Sequence, residues 1–502
     1  MPINSDGLQL GPWLGGVRYD RPAEECSATE LSDMLNTRVD QAGQVETRGG
    51  SLSYKTIGPL TGAPALTLCA EFAQDADTTY VVVAAGAVLY RYSSSSGGWL
   101  AITGTTTITS GTDNTFEWAN ANGTLVITNG TDTDAITWTG TGNATALDDN
   151  ARFAKAKHTA WYDNRLWMAN VSGAADRLWF SDTADIETWG ATSFFNFGGI
   201  ITGIVPSQNA LVVHTTIGLF TLIPTGSATA PYRPNSRTQG AGIDGRSCVS
   251  LPNDKQLMLR TDGIYAWSGG AELEKISGPL DGERYWDNIN VYRLRRAWAL
   301  EYPARNEVWF GLPYGTSQST MNHVIVYNRL LGIWFGPYTG WERNASCIID
   351  DTPHLAGHDG VLYDSDTGDD DSGVGIAARF ETGGPPPISA DYKVRWLSVR
   401  MFFDAQGPYD CYVLQLAAGV DGETQTLSLA GGSFWLDVSY LDGPGILQGR
   451  QQAATDLQML GYSPQTSVRV TMDAPDQRFA FYKMMLRYKQ LGRFRKPPTV
   501  DT

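Results

Sequence analysis

The chain has 502 residues and a formal charge of -16, from 53 acidic and 37 basic side chains. Such a surface repels phosphates on average, which argues against a protein that grips DNA by counterion release. Only 18% of residues are charged while 11% are aromatic, with 16 Trp and 55 Gly, so disorder is excluded and packed strands with tight turns are favoured.

The first residues, MPINSDGLQLGPWLGG, carry no basic start and no continuous apolar run, and no stretch approaches about 18 apolar residues. Neither a secretory leader nor membrane insertion is expected. Ala23 to Leu35, where Glu24, Glu25 and Glu30 accompany Leu31, Met34 and Leu35, predicts a brief connecting helix. Two short polar strands then flank the turn Asp40-Gln41-Ala42-Gly43. The segment from Gly15 to Gly50 has few apolar residues for its length, so it is expected to gain order by packing on the body of the protein or on a neighbour.

From about Thr79 to Asp364 one theme returns: an apolar or aromatic strand, a polar turn with Gly or Asn, and another strand. It is seen in YVVVAAGAVLYRY (Tyr80 to Tyr92), GTLVITNGTDTDAITW (Gly123 to Trp138), DNRLWMANVSGAADRLWFSD (Asp163 to Asp182) and LVVHTTIGLFTL (Leu211 to Leu222). DGIYAW (Asp262 to Trp267), NEVWFGLP (Asn306 to Pro313) and DGVLYDSD (Asp359 to Asp366) continue it. Taking Leu89, Val126, Leu166, Ile264, Val308 and Leu362 as equivalent gives separations of 37, 40, 98, 44 and 54, the long gap being divided by Leu211 to Leu222. This approximates the about 40 to 50 residues of a propeller blade. The fold class predicted is all-β, a β-propeller of six to eight blades.

Composition shifts after Asp364. DSDTGDDDSG (Asp364 to Gly373) reads as an acidic loop and GGPPP (Gly383 to Pro387) as a stiff linker. The strands VRWLSVRMFF, YVLQLAAGV, SVRVTMDA and FAFYKMMLRYK beyond it alternate with period two, which predicts a C-terminal β-sandwich, with a short helix at Gly449 to Leu460. The expected domains are an N-terminal extended segment at 1–51, a propeller at 52–382 and a sandwich at 383–502.

No active site emerges. FSDTADIETW (Phe180 to Trp189) superficially resembles the Asp-box of sialidases but lacks its Gly and places Trp189 one residue too far, so Asp182 and Asp185 read as a blade turn. His354 and His358 have a spacing that suits metal only on a helix, which Pro353 disfavours, and His158, His214 and His323 stand alone. Arg293 to Arg296 reads as a solvated strand face. Cys26, Cys69, Cys248, Cys347 and Cys411 are odd in number and lack a CxxC pair, so reduced, buried thiols are expected rather than disulfides or structural zinc. Asp364, Asp366, Asp369, Asp370 and Asp371 offer hard oxygen ligands, yet without the spacing or closing Glu of an EF-hand; a solvated acidic turn is favoured. No catalytic, cofactor or metal residues are assigned.

GGVRYDRPAEECSATELSDMLNTRVDQAGQVETRGG resembles the start of the tail nozzle (tail tubular) proteins of short-tailed bacteriophages and related phage tail propellers, at Gly15, Gly16, Leu35, Asn36, Thr37, Arg38, Gly43, Arg48 and Gly49. The far end is similar too, with DDDSG leading into FETGG and a late FYKMMLRYKQLGR strand. The resemblance implies a structural, non-enzymatic virion protein, assembled in the bacterial cytoplasm as a ring usually of six identical subunits below a tail adaptor, with tail fibres as further neighbours and DNA as transient cargo. On it, the acidic residues Asp364, Asp366, Asp369, Asp370 and Asp371 become candidates to line the DNA channel. The alternative is a phage tail hub or fibre propeller that binds a host surface glycan, with Trp138, Trp189 or Trp341 as stacking platforms.

Overall fold

The computed structural model describes the chain from Asp6 to Arg493, except 431–451 and short stretches at 58–59, 61, 63, 110, 112–114, 133, 148–151, 228, 241, 244, 389–391, 405, 408, 418–419 and 460. The chain is an all-β protein, a β-propeller joined to a two-sheet sandwich. Seven four-stranded antiparallel sheets follow one another among the described residues. Their first strands are Leu66–Ala73, Glu117–Ala121, His158–Tyr162, Ile201–Pro206, Cys248–Ser250, Trp298–Tyr302 and Arg343–Ile349, and each lies against the next until the seventh returns to the first. The seven segments picked out by alternation fall one in each sheet; four span a hairpin, while DGIYAW, NEVWFGLP and DGVLYDSD each cover a single strand.

Local chemistry explains the hairpins. Asn122 and Gly123 (φ 52° and 78°) close a two-residue loop, as do Asp163 and Asn164 (φ 52° and 54°) and Asp350 and Asp351 (φ 48° and 60°). Positive φ at both central residues matches the twist of paired strands, and Asn, Asp and Gly tolerate it best. Tryptophan fills the spaces between sheets: Trp138, Trp167, Trp267, Trp298, Trp309 and Trp334 are fully buried. The indole nitrogens of Trp138 and Trp267, each closing the third strand of its sheet, donate to the carbonyls of Gly142 (3.2 Å) and Gly270 (2.8 Å) in the turn that follows.

Both chain ends depart from the expected boundaries. Ser51–Ser53 pairs with Leu362–Ser365 as the fourth strand of the seventh sheet, so an early segment closes the ring that the late one leaves open. The residues before it are no separate strap. Thr37–Val39 and Val45–Thr47 extend one six-stranded sheet built on Tyr392–Asp404 and Ala480–Arg493, while Gly16–Val17 and Glu30–Leu35 extend the other through Ala378–Thr382. The sandwich therefore begins before Gly383 and draws on strands between Asp6 and Thr47. Phe380 of one sheet meets Phe481 of the other at 5.6 Å between ring centres. Gly383 and Gly384 donate to the carbonyls of Glu30 and Ala23, which makes the GGPPP stretch part of the sandwich instead of a free linker.

Neither expected helix forms. Ala23–Glu25 is a single 3-10 turn and Glu30–Leu35 is a strand, because Leu31, Ser32 and Met34 are buried in pairing with Ala378–Thr382. Gln452–Gln458 is likewise a strand, paired with Tyr392–Asp404; positions 449–451 and 460 lie outside the described residues. The cysteine expectation needs correction as well. Cys26, Cys248 and Cys411 are free and buried, but Cys69 and Cys347, 278 residues apart, form a disulfide between the first strands of sheets one and seven. Ring closure brings their Cα atoms to 5.7 Å, a proximity that linear spacing does not reveal. No helix among the described residues is long and apolar enough to cross a membrane.

Candidate functional site

Two regions gather polar side chains: the joint between propeller and sandwich, and the tunnel enclosed by the seven first strands. The joint is made by the acidic loop and by arginines of the sandwich. Asp366, only 3% exposed, pairs with Arg38 through one oxygen and with Arg305 through the other at 2.5 Å. Asp371 takes both terminal nitrogens of Arg48, at 2.9 and 2.5 Å, in the planar fork that favours arginine over lysine. Arg48 also donates from Nε to Asn36 Oδ1 (3.0 Å) and lies 4.0 Å over the Trp341 ring. Asn36, at φ 51°, donates to the Ala377 carbonyl and accepts from the Thr339 backbone N–H at 2.7 Å.

The glycines of the same motif are needed for contact. A Cβ on Gly49 would come within 2.7 Å of the Asp366 Cα, and one on Gly50 would overlap the Asp370 carbonyl oxygen. With that space kept, Gly50 and Ser51 donate to the carbonyls of Gly368 and Asp370 at 2.9 Å each. Arg38, Arg48, Gly49 and Gly50 thus form one clasp on the acidic loop.

Electrostatics follow from burial. Burial works to raise the Asp366 carboxyl, but Arg38 and then Arg305 outweigh it and hold the group below the ordinary aspartate range. Glu307, close by and accepting a 2.8 Å bond from Trp309 Nε1, is pushed up to about 7 by burial, against the pull of Arg38. Beside the clasp is a cavity of about 470 Å³ lined by Trp341, Arg343, Tyr363 and Asp371. Arg343 lies 3.8 Å over the Tyr363 ring, and burial lowers its guanidinium to about 10.

The five loop aspartates are therefore dispersed in role. Asp364 Oδ1 lies 2.7 Å from His354 Nε2, and Asp369 makes an exposed pair with Arg478 at 3.2 Å. Asp370 accepts the Gly373 N–H at 2.8 Å. Asp366 and Asp371 are taken up at the joint by Arg38, Arg305 and Arg48, pairs that neutralise their charge locally. The remaining candidates are also engaged structurally. Asp185 accepts the N–H groups of Glu187 and Thr188, contacts that hold it below the usual range, and Trp189 is buried 4.2 Å from Phe153. His354 lies on a strand and His358 beyond its end, and among the described residues no group of three or more His, Cys, Asp or Glu is placed to hold a metal ion. Arg293 to Arg296 lie in a 3-10 segment, Val291–Arg296, and not on a strand face. Trp138, Trp189 and Trp341 are all buried, which removes them as stacking platforms.

The tunnel holds a cavity of about 460 Å³ whose wall includes Glu117, Trp118, Asn120, Thr159, Trp161 and Arg246. Trp118 and Trp161 are half-buried, on the first strands of adjacent sheets. Glu117 Oε1 lies 2.7 Å from His158 Nδ1, and Arg246 donates to the Asn344 carbonyl at 2.7 Å. None of the wall residues Glu117, Trp118, Asn120, Thr159, Trp161 and Arg246 was singled out in the sequence. The available signal was a tryptophan in each of two short strands, EWANA and HTAWY, which does not distinguish a tunnel wall from the packing between sheets.

No family model matches this chain, and no curated protein matches it. Among solved structures it is similar to YCF48 bound to D1 peptide, at 11% identity and a TM-score of 0.39, covering 63% of this chain and 94% of that one. The WD40 β-propeller domain of Doa1 is similar at 9% identity and a TM-score of 0.39, covering 63% and 96%. BamB from Moraxella catarrhalis is similar at 11% identity and a TM-score of 0.38, again covering 63% and 96%.

Proposed function

We propose that this protein is a structural, non-enzymatic component of a short phage tail: a nozzle subunit that assembles with identical copies into a ring, usually of six, below a tail adaptor. The observation that carries the reading is the clasp. The residues through which the sequence resembles nozzle proteins, Asn36, Arg38, Arg48 and Gly49 at one end and the acidic loop at the other, meet as the joint between propeller and sandwich. The resemblance thus rests on residues that build an architecture, as expected of proteins sharing a mechanical role.

In this reading DNA passes along the axis shared by the subunits, and the tunnel within each propeller is no part of that path. Excess negative charge suits a conduit, because a wall rich in Lys and Arg would release counterions and retain each passing phosphate. A ring requires heterologous contacts whose rotation closes. The test is light scattering and electron microscopy of the purified protein, alone and with an adaptor ring. Closed rings of identical chains are expected; a monomer that never assembles with the adaptor would refute the proposal.

A further inference from the structure

Arg343 is a buried cation without a counterion of its own. The residue, 5% exposed, opens the strand Arg343–Ile349 and lines the cavity of about 470 Å³ beside the clasp. Its guanidinium lies 3.8 Å over the Tyr363 ring and 5.5 Å over that of Trp341, while Arg48 lies 4.0 Å over the same indole. Two cations thus share one tryptophan, but Asp371 gives both its oxygens to Arg48. Among the described residues no carboxylate comes within 4.0 Å of Arg343, in contrast to Arg38, Arg48 and Arg305. Burial lowers its guanidinium to about 10, so the group is still a cation at neutral pH. A buried cation is costly unless an anion offsets it.

The nitrogens that would take the anion are open. Arg343 Nε is sealed by protein, whereas the two terminal nitrogens are not sealed and meet no carbonyl or carboxylate. The Tyr363 hydroxyl beside the guanidinium is a neutral partner, and it gives its own proton to Asp359 at 2.6 Å. Asp359 and Glu342 stand exposed at the rim, where water screens them, and Asp359 also accepts the Val361 N–H at 3.2 Å. These rim charges disfavour a doubly charged phosphate more than a singly charged carboxylate. A carboxylate matches the planar edge of a guanidinium with two parallel hydrogen bonds. Trp341, Ile376 and Val374, the last 66% exposed, line the same space and suit an apolar body attached to that carboxylate.

We infer that the cavity beside the clasp is a binding site for a small organic carboxylate, which pairs with the terminal nitrogens of Arg343 while its apolar body rests on Trp341, Ile376 and Val374. The site lies within one chain and stands independently of ring assembly, so either reading can fail alone. The test is saturation-transfer NMR on the full chain with three probes of similar shape and different charge at millimolar concentration: benzoate, neutral benzamide and cationic benzamidine. Transfer to benzoate is expected, with an affinity at least about tenfold above that of benzamide, equivalent to roughly 1.4 kcal/mol, and benzamidine weaker still. Arg343→Gln, which keeps hydrogen-bonding capacity while removing the charge, should abolish the preference for benzoate over benzamide; Arg343→Met replaces it if the Gln variant does not fold. Absence of transfer to benzoate, benzamide or benzamidine binding as tightly as benzoate, or a preference unchanged in the Arg343 variant, would overturn the inference.

Discussion

The clasp and the tunnel both bury polar groups, but the clasp does so mainly through ion pairs to one loop. At the clasp every loop aspartate meets a cation, a histidine or a backbone N–H, and the arginines come from positions far away in sequence. In the tunnel, Asn120 and Thr159 keep unpaired oxygens beside half-buried tryptophans. Buried ion pairs fix one arrangement of two bodies, although Arg38 Nε and Nη1 are left without hydrogen-bond partners there, as Asn120 Oδ1 and Thr159 Oγ1 are in the tunnel, each at some cost in stability.

Removing one partner at the clasp should have the largest effect. Asp366→Ala leaves Arg38 buried without its principal counterion and should cost about 3–5 kcal/mol in denaturant unfolding. Asp369→Ala, in the same loop but in an exposed pair, should cost roughly 0–1 kcal/mol. Equal losses would mean that the loop acts through its overall charge instead of through specific pairs.

Acidity probes the same joint with both signs. Glu307 has its folded pKa raised from 4.5 to about 7, so the native state holds this proton more tightly, and its contribution falls as pH rises through that window. Glu307→Gln should remove a slope approaching about 1.4 kcal/mol per pH unit there, gaining stability relative to the parent at pH 8 more than at pH 5. Asp366 has a lowered pKa, so its contribution is present above about 3.8 and is lost as pH falls below it. Thermal melts across pH, on the parent and both variants, separate the two limbs.

Smaller effects follow. Gly50→Ala, whose Cβ meets the Asp370 carbonyl, should cost about 1–3 kcal/mol through displacement of the loop. Thr159→Val in the tunnel should cost nothing and gain up to about 1 kcal/mol, since it removes an unpaired hydroxyl; a clear loss would show that the hydroxyl has a partner and would weaken the contrast between the regions. Thiol titration of unfolded protein should find three reactive cysteines before reduction and five after, because Cys69 and Cys347 are paired.

The legible part of this protein was its local chemistry. Alternation and turn residues marked a strand or a hairpin in each of the seven sheets because a half-buried strand and a two-residue turn are decided within a dozen residues. The resemblance at Asn36, Arg38, Arg48 and Gly49 also marked important positions, although not their role. Tertiary pairing decided the rest. It turned Glu30–Leu35 from an expected helix into a strand, placed Ser51–Ser53 in the seventh sheet, and set Asp366 against Arg38 across 328 positions of sequence. Composition could identify an acidic loop; only the folded chain selects which aspartates meet buried guanidinium groups. In the same way, a tryptophan in a short strand declares burial, while the closed ring of strands decides that Trp118 and Trp161 face a common tunnel. Local sequence determines backbone conformation through sterics and hydrogen bonding between near neighbours, but a clasp or a tunnel depends on distances between residues that meet only when the ring closes.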